Sequence, residues 1–142
     1  MKLALAEAEK AFEQDEVPIG CIIVRDEKVI AKGHNLTEQL KDATAHAEMM
    51  AITSASAALE SRYLTETTLY VTIEPCAMCA GAIVLARIPR LVFGGYDPKA
   101  GACGTLYNIT EDNRLNHQVH TIGGVMDNEC AKIIQEYFRK SR

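Results

Sequence analysis

Short β-rich runs alternate with helical patterns along this chain, and that alternation constrains the possible folds more than any other feature. The runs at 21–24 and 29–31 are joined by a short polar turn, which predicts an antiparallel hairpin. The runs at 69–73 and 91–93 are separated by a helical segment, so we expect them to be parallel. With a fifth strand at 118–122, the pattern predicts an α/β fold, a three-layer α/β/α sandwich around a mixed five-stranded sheet.

Four segments have the composition or the periodicity of helices. Three of them are predicted at 2–14, 45–59 and 76–87, and the fourth lies near the end of the chain. Thr44 is the predicted N-cap of the second helix, and the polar stretch 34–44 before it is expected to be a loop. In the last helix one apolar stripe is expected to face the core. Its members are Cys130, Ile133, Ile134, Tyr137 and Phe138.

The length of 142 residues fits a single domain spanning 1–142, with enough mass for one hydrophobic core. The formal net charge of −4 argues against broad, charge-driven binding of nucleic acid. The sequence has no apolar run of about eighteen residues that could span a membrane. Its acidic N-terminal segment also lacks the features of a signal peptide. These features predict a cytoplasmic protein with no membrane contact.

Five cysteines are an odd number, and without a predicted secretory signal a framework of disulfides is not expected. Cys76 and Cys79 form a closely spaced pair, for which metal binding or catalysis is the better use. Cys21, Cys103 and Cys130 stand alone in the sequence, and each is expected to be a small buried hydrophobic residue.

Cys76, Cys79 and His46 together have the donor types of a zinc site. His46 lies in the segment TAHAE, and the two cysteines lie in EPCAMC. Three protein ligands leave one tetrahedral position for water, which is typical of catalytic zinc rather than structural zinc. The nearest candidates for a fourth ligand, Cys103 and His34, do not have ligand-like spacing to the others. The sequence therefore predicts one catalytic zinc ion (Zn²⁺) per chain.

Glu48 lies two residues after His46, and residues so spaced do not share a face of a regular helix. The pair can converge on one metal ion if the helix begins here, so we expect the segment HAE at a helix start. Zinc lowers the pKa of a bound water from its value in bulk water toward about 7. Glu48 is predicted to take the proton of that water and return it to the substrate. A His-x-Glu segment followed by Pro-Cys-x-x-Cys is typical of zinc-dependent nucleobase deaminases.

Nearly the whole chain resembles one family. The segments EVPIGCIIV, HNLT and TAHAE, the run LYVTIEPCAMCAGAIVLARI and the loop FGGYDPKAGACGTLYNI are similar to the bacterial tRNA-specific adenosine deaminases of the cytidine deaminase superfamily. The resemblance implies a cytidine-deaminase-like fold, a zinc cofactor and a homodimer. It also implies the reaction, which is hydrolysis of adenosine to inosine at the wobble position of a tRNA anticodon stem-loop.

The same resemblance implies roles for residues around the metal. Asn35 matches a residue that contacts the purine, and the backbone N–H groups of Ala47 and Cys76 match groups that position the base and the attacking hydroxide. Asp97 and Lys99 match positions on a loop that lies against the anticodon backbone. Asn35 and Asp97 also have an ordinary structural use, because the side chains of both residue types cap turns.

Two other functions are compatible with these residues. The first is deamination of a free nucleobase or nucleotide (guanine, cytosine or deoxycytidylate), because that reaction uses the same zinc chemistry. The second is a non-catalytic, zinc-stabilised module that binds RNA or protein. Glu48 discriminates between catalysis and the second alternative, because a structural zinc site has no use for a carboxylate beside an open coordination position.

Overall fold

The computed structural model describes residues 1–141, in which five strands form one sheet and helices cover both of its faces. Within this range, none of the helices combines the length and the apolar composition that a membrane crossing requires. The elements follow the chain in this order: α1 (Lys2–Glu13), β1 (Gly20–Arg25), β2 (Lys28–His34), α2 (Thr37–Leu40), α3 (Ala47–Leu59), β3 (Thr67–Ile73), α4 (Ala77–Leu85), β4 (Arg90–Gly95), β5 (His120–Ile122) and α5 (Asp127–Lys140).

The strands are arranged in the order β2-β1-β3-β4-β5. Strand β1 is antiparallel to both β2 and β3, whereas β4 is parallel to both β3 and β5. Helix α4 connects β3 to β4, and a crossover of this kind is what a parallel pair requires. The predicted mixed five-stranded sheet is confirmed.

The turn between β1 and β2 depends on two residues with left-handed backbone. Asp26 has a φ angle of 51° and Glu27 a φ angle of 63°. Two consecutive residues with positive φ suit a tight hairpin, because their twist matches the right-handed twist of the flanking strands. The polar turn of the sequence therefore closes the hairpin that was predicted from it.

The helices form two layers, with α1 and α5 on one face of the sheet and α3 and α4 on the other. Helix α3 faces the sheet with the buried residues Ala47, Ala51 and Ala55, which are spaced one turn apart. Gly33 of β2 lies against this row, where an added Cβ would be 2.5 Å from the carbonyl oxygen of Ala47. Small residues thus hold α3 close to the strands, and the predicted α/β/α sandwich is confirmed.

The core fills the space beside the three central strands. Full burial of a side chain such as valine, leucine, isoleucine or phenylalanine stabilises the fold by roughly 1.5–3 kcal/mol. Two of the cysteines discussed below follow β3 directly, so they are attached to a central strand of the sheet. The residues that these three strands contribute to the hydrophobic core cluster are Cys21, Ile23, Leu69, Val71, Leu91 and Phe93.

The segment 34–44 is more ordered than the predicted loop, because it contains the short helix α2. The carboxylate of Glu16 accepts hydrogen bonds from the N–H groups of Glu38 and Gln39 at 2.9 and 2.8 Å. These N–H groups have no partner within the helix, so a carboxylate from outside stabilises its first turn.

The predicted N-cap of α3 is wrong. The helix begins at Ala47 with His46 as its N-cap, two residues later than Thr44. The hydroxyl of Thr44 donates to Oδ1 of Asp42 at 2.7 Å, a local contact that competes with capping. The segment HAE does lie at a helix start, as the spacing of His46 and Glu48 requires.

The predicted apolar stripe of α5 is buried at one position. Cys130 is fully buried, whereas Phe138 at the other end of the stripe is 49% exposed. Helix α5 packs on β4 and β3, and its later part lies against α1, where the ring centroids of Tyr137 and Phe12 are 6.0 Å apart.

Candidate metal centre and catalytic site

The three predicted zinc ligands come from the starts of two neighbouring helices. His46 is the N-cap of α3, Cys76 is the N-cap of α4, and Cys79 lies in the first turn of α4. The chain passes from β3 to α4 through Glu74, Pro75 and Cys76 alone. The start of a helix carries partial positive charge, which stabilises thiolates.

The donor atoms of the three residues lie close enough to share one ion. Nδ1 of His46 is 3.6 Å from Sγ of Cys76 and 3.6 Å from Sγ of Cys79. All three donors lie within 4.8 Å of one another. With ordinary bond lengths, tetrahedral zinc separates a sulfur ligand from a nitrogen ligand by about 3.6 Å. The geometry and the donor types therefore fit zinc.

The two candidates for a fourth ligand contact other groups. Sγ of Cys103 lies 4.0 Å from the carbonyl oxygen of Pro75. The ring of His34 forms hydrogen bonds with Glu7 and Gln14. Among residues 1–141, the group of potential metal ligands that the structure brings together has three members, the number typical of catalytic zinc.

The three donors perturb one another's protonation. The hydrogen bond with Cys79, reinforced by His46, lowers the pKa of Cys76 to about 3. The same contact with Cys76, together with burial, raises the pKa of Cys79 above its ordinary value. The contact with Cys76 raises the pKa of His46 in spite of partial burial. Two sulfurs and an imidazole thus share protons that a metal ion would displace on binding.

Glu48 lies beside these donors in the first turn of α3 and is 4% exposed. Burial is the main cause that raises the pKa of its carboxyl group to about 7, and the charge of Cys76 adds to the effect. The nearby N–H of Glu48 itself and the sulfur of Cys79 act in the opposite direction and lower the pKa. A carboxyl group with a pKa near neutral can both accept and release a proton, as general acid–base catalysis requires.

Asn35 and Ala47 meet His46 at a cavity of about 230 Å³. Val17 and Ile19 supply apolar walls to the same cavity. Oδ1 of Asn35 accepts a hydrogen bond from the N–H of Thr37 at 3.3 Å, so this side chain caps a turn. Asn35 is also 6% exposed and borders the cavity. Both uses that the sequence suggested for Asn35 are therefore compatible with its position.

Asp97 and Lys99 do not line that cavity but a larger neighbouring one of about 550 Å³. The two cavities share Val17 and Ile19 as walls. Oδ1 of Asp97 accepts hydrogen bonds from the N–H groups of Lys99 and Ala100 at 2.9 and 3.2 Å. The carboxylate of Asp97 therefore stabilises its own turn, and the side chain of Lys99 is exposed.

Two buried carboxylates beside the site were missed by sequence reasoning. Glu74 is 3% exposed and Glu16 is fully buried. Glu16 accepts hydrogen bonds from backbone N–H groups of α2, and Glu74 accepts them from the loop that carries Asp97. For Glu74 the available signal was an acidic residue directly after the apolar run of β3. The sequence around Glu16 gives no comparable signal, because it is one of several acidic residues between positions 7 and 16.

The fold, the His/Cys/Cys group and the buried glutamate define the class of zinc-dependent deaminases. The MafB19-like deaminase family matches residues 1–142, which is the full sequence. The chain therefore belongs to the MafB19-like deaminase family.

The chain is also similar to individual proteins with known names. A tRNA-specific adenosine deaminase of Bacillus subtilis is 48% identical over 142 residues, which are 100% of this chain and 88% of that protein. A structure from a study of A-to-I editing by tRNA:A34 deaminases at the wobble position of transfer RNA has a TM-score of 0.90 and 46% identity, over 94% of this chain and 96% of that one. A guanine deaminase from Nitrosomonas europaea, with a TM-score of 0.83 and 19% identity over 96% of this chain and 81% of that one, shares the fold. The predicted resemblance to tRNA-specific adenosine deaminases is confirmed.

Proposed function

We propose that this protein hydrolyses adenosine to inosine at the wobble position of a tRNA anticodon. One observation carries the proposal: His46, Cys76 and Cys79 converge beside the buried Glu48 in a chain that is similar over its full length to tRNA-specific adenosine deaminases. An enzyme with this arrangement replaces the amino group of the base with oxygen from water and releases ammonia.

The proposed cofactor is one zinc ion per chain, held by Nδ1 of His46 and the sulfurs of Cys76 and Cys79. When bound there, zinc supplies Lewis acidity, which lowers the pKa of water from its bulk value toward about 7. The observed separations of 3.6 Å between His46 and each sulfur support this assignment.

Glu48 moves the protons of the reaction. Its carboxylate takes a proton from the attacking water and delivers it to the ring nitrogen beside the amino-bearing carbon. As the carbon–nitrogen bond breaks, Glu48 transfers the second proton of the water to the departing amino group, which leaves as ammonia. A carboxyl group with a pKa of about 7 is suited to both transfers at neutral pH.

In the proposed complex, the two cavities hold different parts of the substrate. The purine enters the smaller one, where the side chain of Asn35 and the N–H of Ala47 position it, together with the N–H of Cys76. The loop that carries Asp97 and Lys99 borders the larger cavity and contacts the anticodon backbone. An extruded base reaches such a pocket without a strongly basic protein surface, because stacking and shape supply much of the recognition.

The proposal also includes a single deaminase domain over 1–142, a homodimer and a cytoplasmic location. Exposed apolar side chains support the homodimer: Leu85 at the end of α4 is 77% exposed and Tyr107 is 61% exposed. The proposed tRNA substrate, which serves translation, supports the location.

The direct experiment supplies the zinc-loaded protein with an anticodon stem-loop bearing adenosine at the wobble position. Parallel reactions contain free guanine, cytidine and deoxycytidylate, and liquid chromatography of the digested products measures deamination. We expect inosine in the stem-loop and little product from the small molecules. Turnover of a small molecule with none on the stem-loop would identify a free-base or nucleotide deaminase instead. No turnover of any substrate by a zinc-loaded chain would favour a non-catalytic module.

A further inference from the structure

The carboxylate of Glu74 is surrounded by a single loop. Oε1 accepts hydrogen bonds from the N–H of Asp97 at 3.0 Å and from the hydroxyl of Thr105. Oε2 accepts the N–H groups of Cys103 and Thr105 at 3.0 and 3.1 Å. Four donors from the segment 97–105 thus converge on one side chain that is 3% exposed.

The loop approaches Glu74 closely because it has a glycine at the point of contact. A Cβ added to Gly101 would lie 2.4 Å from Cδ and from Oε1 of Glu74. Such a distance requires the carboxylate or the loop to move. Gly101 therefore lets the backbone of the loop wrap around the carboxylate.

The backbone beside Glu74 ties the same loop to the metal-binding turn. The N–H of Ala102 donates to the carbonyl oxygen of Pro75 at 2.9 Å, and Pro75 directly precedes the ligand Cys76. The N–H of Glu74 itself donates to the carbonyl oxygen of Gly95 at the end of β4, at 2.8 Å. Glu74 therefore lies where the parallel strands β3 and β4 end. There it contacts the 97–105 loop, and the metal-binding turn follows it directly in the chain.

We propose that Glu74 is a positioning residue, which fixes the 97–105 loop against the Cys76 turn so that the larger cavity has the right shape for the RNA around the target base. The proposal rests on the proposed function for its substrate, whereas the anchoring of the loop does not depend on any substrate. Glu74 does not reach the reacting atoms in this account. It acts through the loop that carries Asp97 and Lys99.

A carboxylate suits this position better than the amide of glutamine. An ionised carboxylate only accepts hydrogen bonds and offers about four lone-pair sites, which matches the four donors. Glutamine has nearly the same shape, but its NH₂ group would face N–H donors and leave at least one of them unsatisfied. Glu74→Gln therefore tests the anchoring with little change in volume.

The first measurement is hydrogen–deuterium exchange of the zinc-loaded protein without RNA. In Glu74→Gln we expect peptides from 97–105 to exchange at least about threefold faster, while peptides from 35–40 keep the wild-type rate. The exposed Glu60 provides the matched control, and Glu60→Gln is expected to change neither loop. Wild-type exchange of 97–105 in Glu74→Gln would overturn the proposal.

The second measurement is steady-state kinetics on the anticodon stem-loop. We expect Glu74→Gln to raise KM by about tenfold and to change kcat by less than about threefold, at one zinc ion per chain. Unchanged KM, or a loss confined to kcat or to zinc content, would contradict a role in substrate positioning. A wild-type protein that is inactive on the stem-loop would refute the proposed function, and the exchange experiment would still decide whether Glu74 anchors the loop.

A milder pair of variants covers the case in which Glu74→Gln does not fold. Thr105→Val removes one of the four donors, whereas Thr105→Ser keeps the hydroxyl group. Faster exchange of 97–105 and a raised KM in Thr105→Val, with wild-type values in Thr105→Ser, would support the proposal. Equal behaviour of the two variants would overturn it.

Discussion

Two regions meet at this site and are built in different ways. The first consists of the starts of α3 and α4, which carry His46, Glu48 and Cys76 at the N-cap or in the first turn. The second consists of the loop 35–40, which includes the short helix α2, and the loop 97–105. Each of these loops is held by a buried carboxylate from another part of the chain. The first region carries the proposed chemistry, and the second borders the two cavities that we propose for the substrate. Substitutions in the first region should therefore affect zinc binding and catalysis, whereas substitutions in the second should affect loop stability and substrate binding.

Removal of one metal ligand should have the largest effect in the first region. In Cys76→Ala two donors remain, so we expect the zinc content measured by mass spectrometry to fall to the background and deamination to stop. Cys103→Ala is the matched control, because Cys103 is buried near the same turn but lies outside the donor group. It should retain one zinc ion per chain. Loss of zinc from Cys103→Ala would indicate a structural site with four ligands.

Substitution of the carboxylate that holds the other loop should have an intermediate effect. Glu16 is fully buried and accepts the N–H groups of Glu38 and Gln39. In Glu16→Gln at least one of these groups would face an NH₂ group, so we expect the free energy of unfolding to fall by about 1–3 kcal/mol. Urea denaturation measures this change.

The same variant should also reduce activity, since Asn35 begins the loop that Glu16 holds. We expect kcat/KM on the stem-loop to fall by about tenfold at unchanged zinc content. If Glu16→Gln matched Glu60→Gln in both stability and activity, the loop would not depend on its carboxylate and the contrast between the two regions would fail.

The smallest expected effect lies at Glu7 of α1, which belongs to neither region. Burial alone would raise the pKa of this carboxyl group, but the hydrogen bonds with Lys10 at 2.6 Å and His34 at 3.3 Å outweigh it and lower the pKa. A lowered pKa in the folded state means that the stabilisation is complete above the unfolded-state pKa of about 4.3, and is lost as the pH falls through the folded-state pKa.

Thermal melts of Glu7→Gln across pH test this linkage. The variant should have a lower Tm than the wild type at neutral pH, and the difference should shrink as the pH falls below about 4. Activity at neutral pH should not change, because Glu7 lies on the face of the sheet opposite the metal ligands. A difference in Tm that stays constant with pH would show that the ion pair does not contribute.

The two regions also differ in how far they could be predicted from the sequence. The strands and long helices were predicted because their apolar periodicity is local, and the cluster of His46, Cys76 and Cys79 was predicted because donor types and spacing restrict metal sites. The start of α3 was misplaced by two residues, since a local Asp42–Thr44 contact outweighs the capping preference of threonine.

Glu16 and Glu74 could not be assigned because their burial depends on distant residues. The donors to Glu74 are between 23 and 31 positions away along the chain. An acidic residue has the same appearance in a sequence whether water or a loop surrounds its carboxylate. The short helix α2 was missed for the same reason, because its first turn is stabilised by a residue more than twenty positions earlier.

The most direct test of the account is the rate of inosine formation in the stem-loop by Glu48→Gln. The glutamine keeps the shape of the side chain but cannot carry a proton between water and base. Glu48 is not one of the three metal donors, so the substitution leaves the donor group complete. At one zinc ion per chain, we expect the rate to fall by about 10²–10⁴-fold. A zinc-loaded Glu48→Gln protein within about tenfold of the wild-type rate would contradict the assignment of the proton transfers to Glu48.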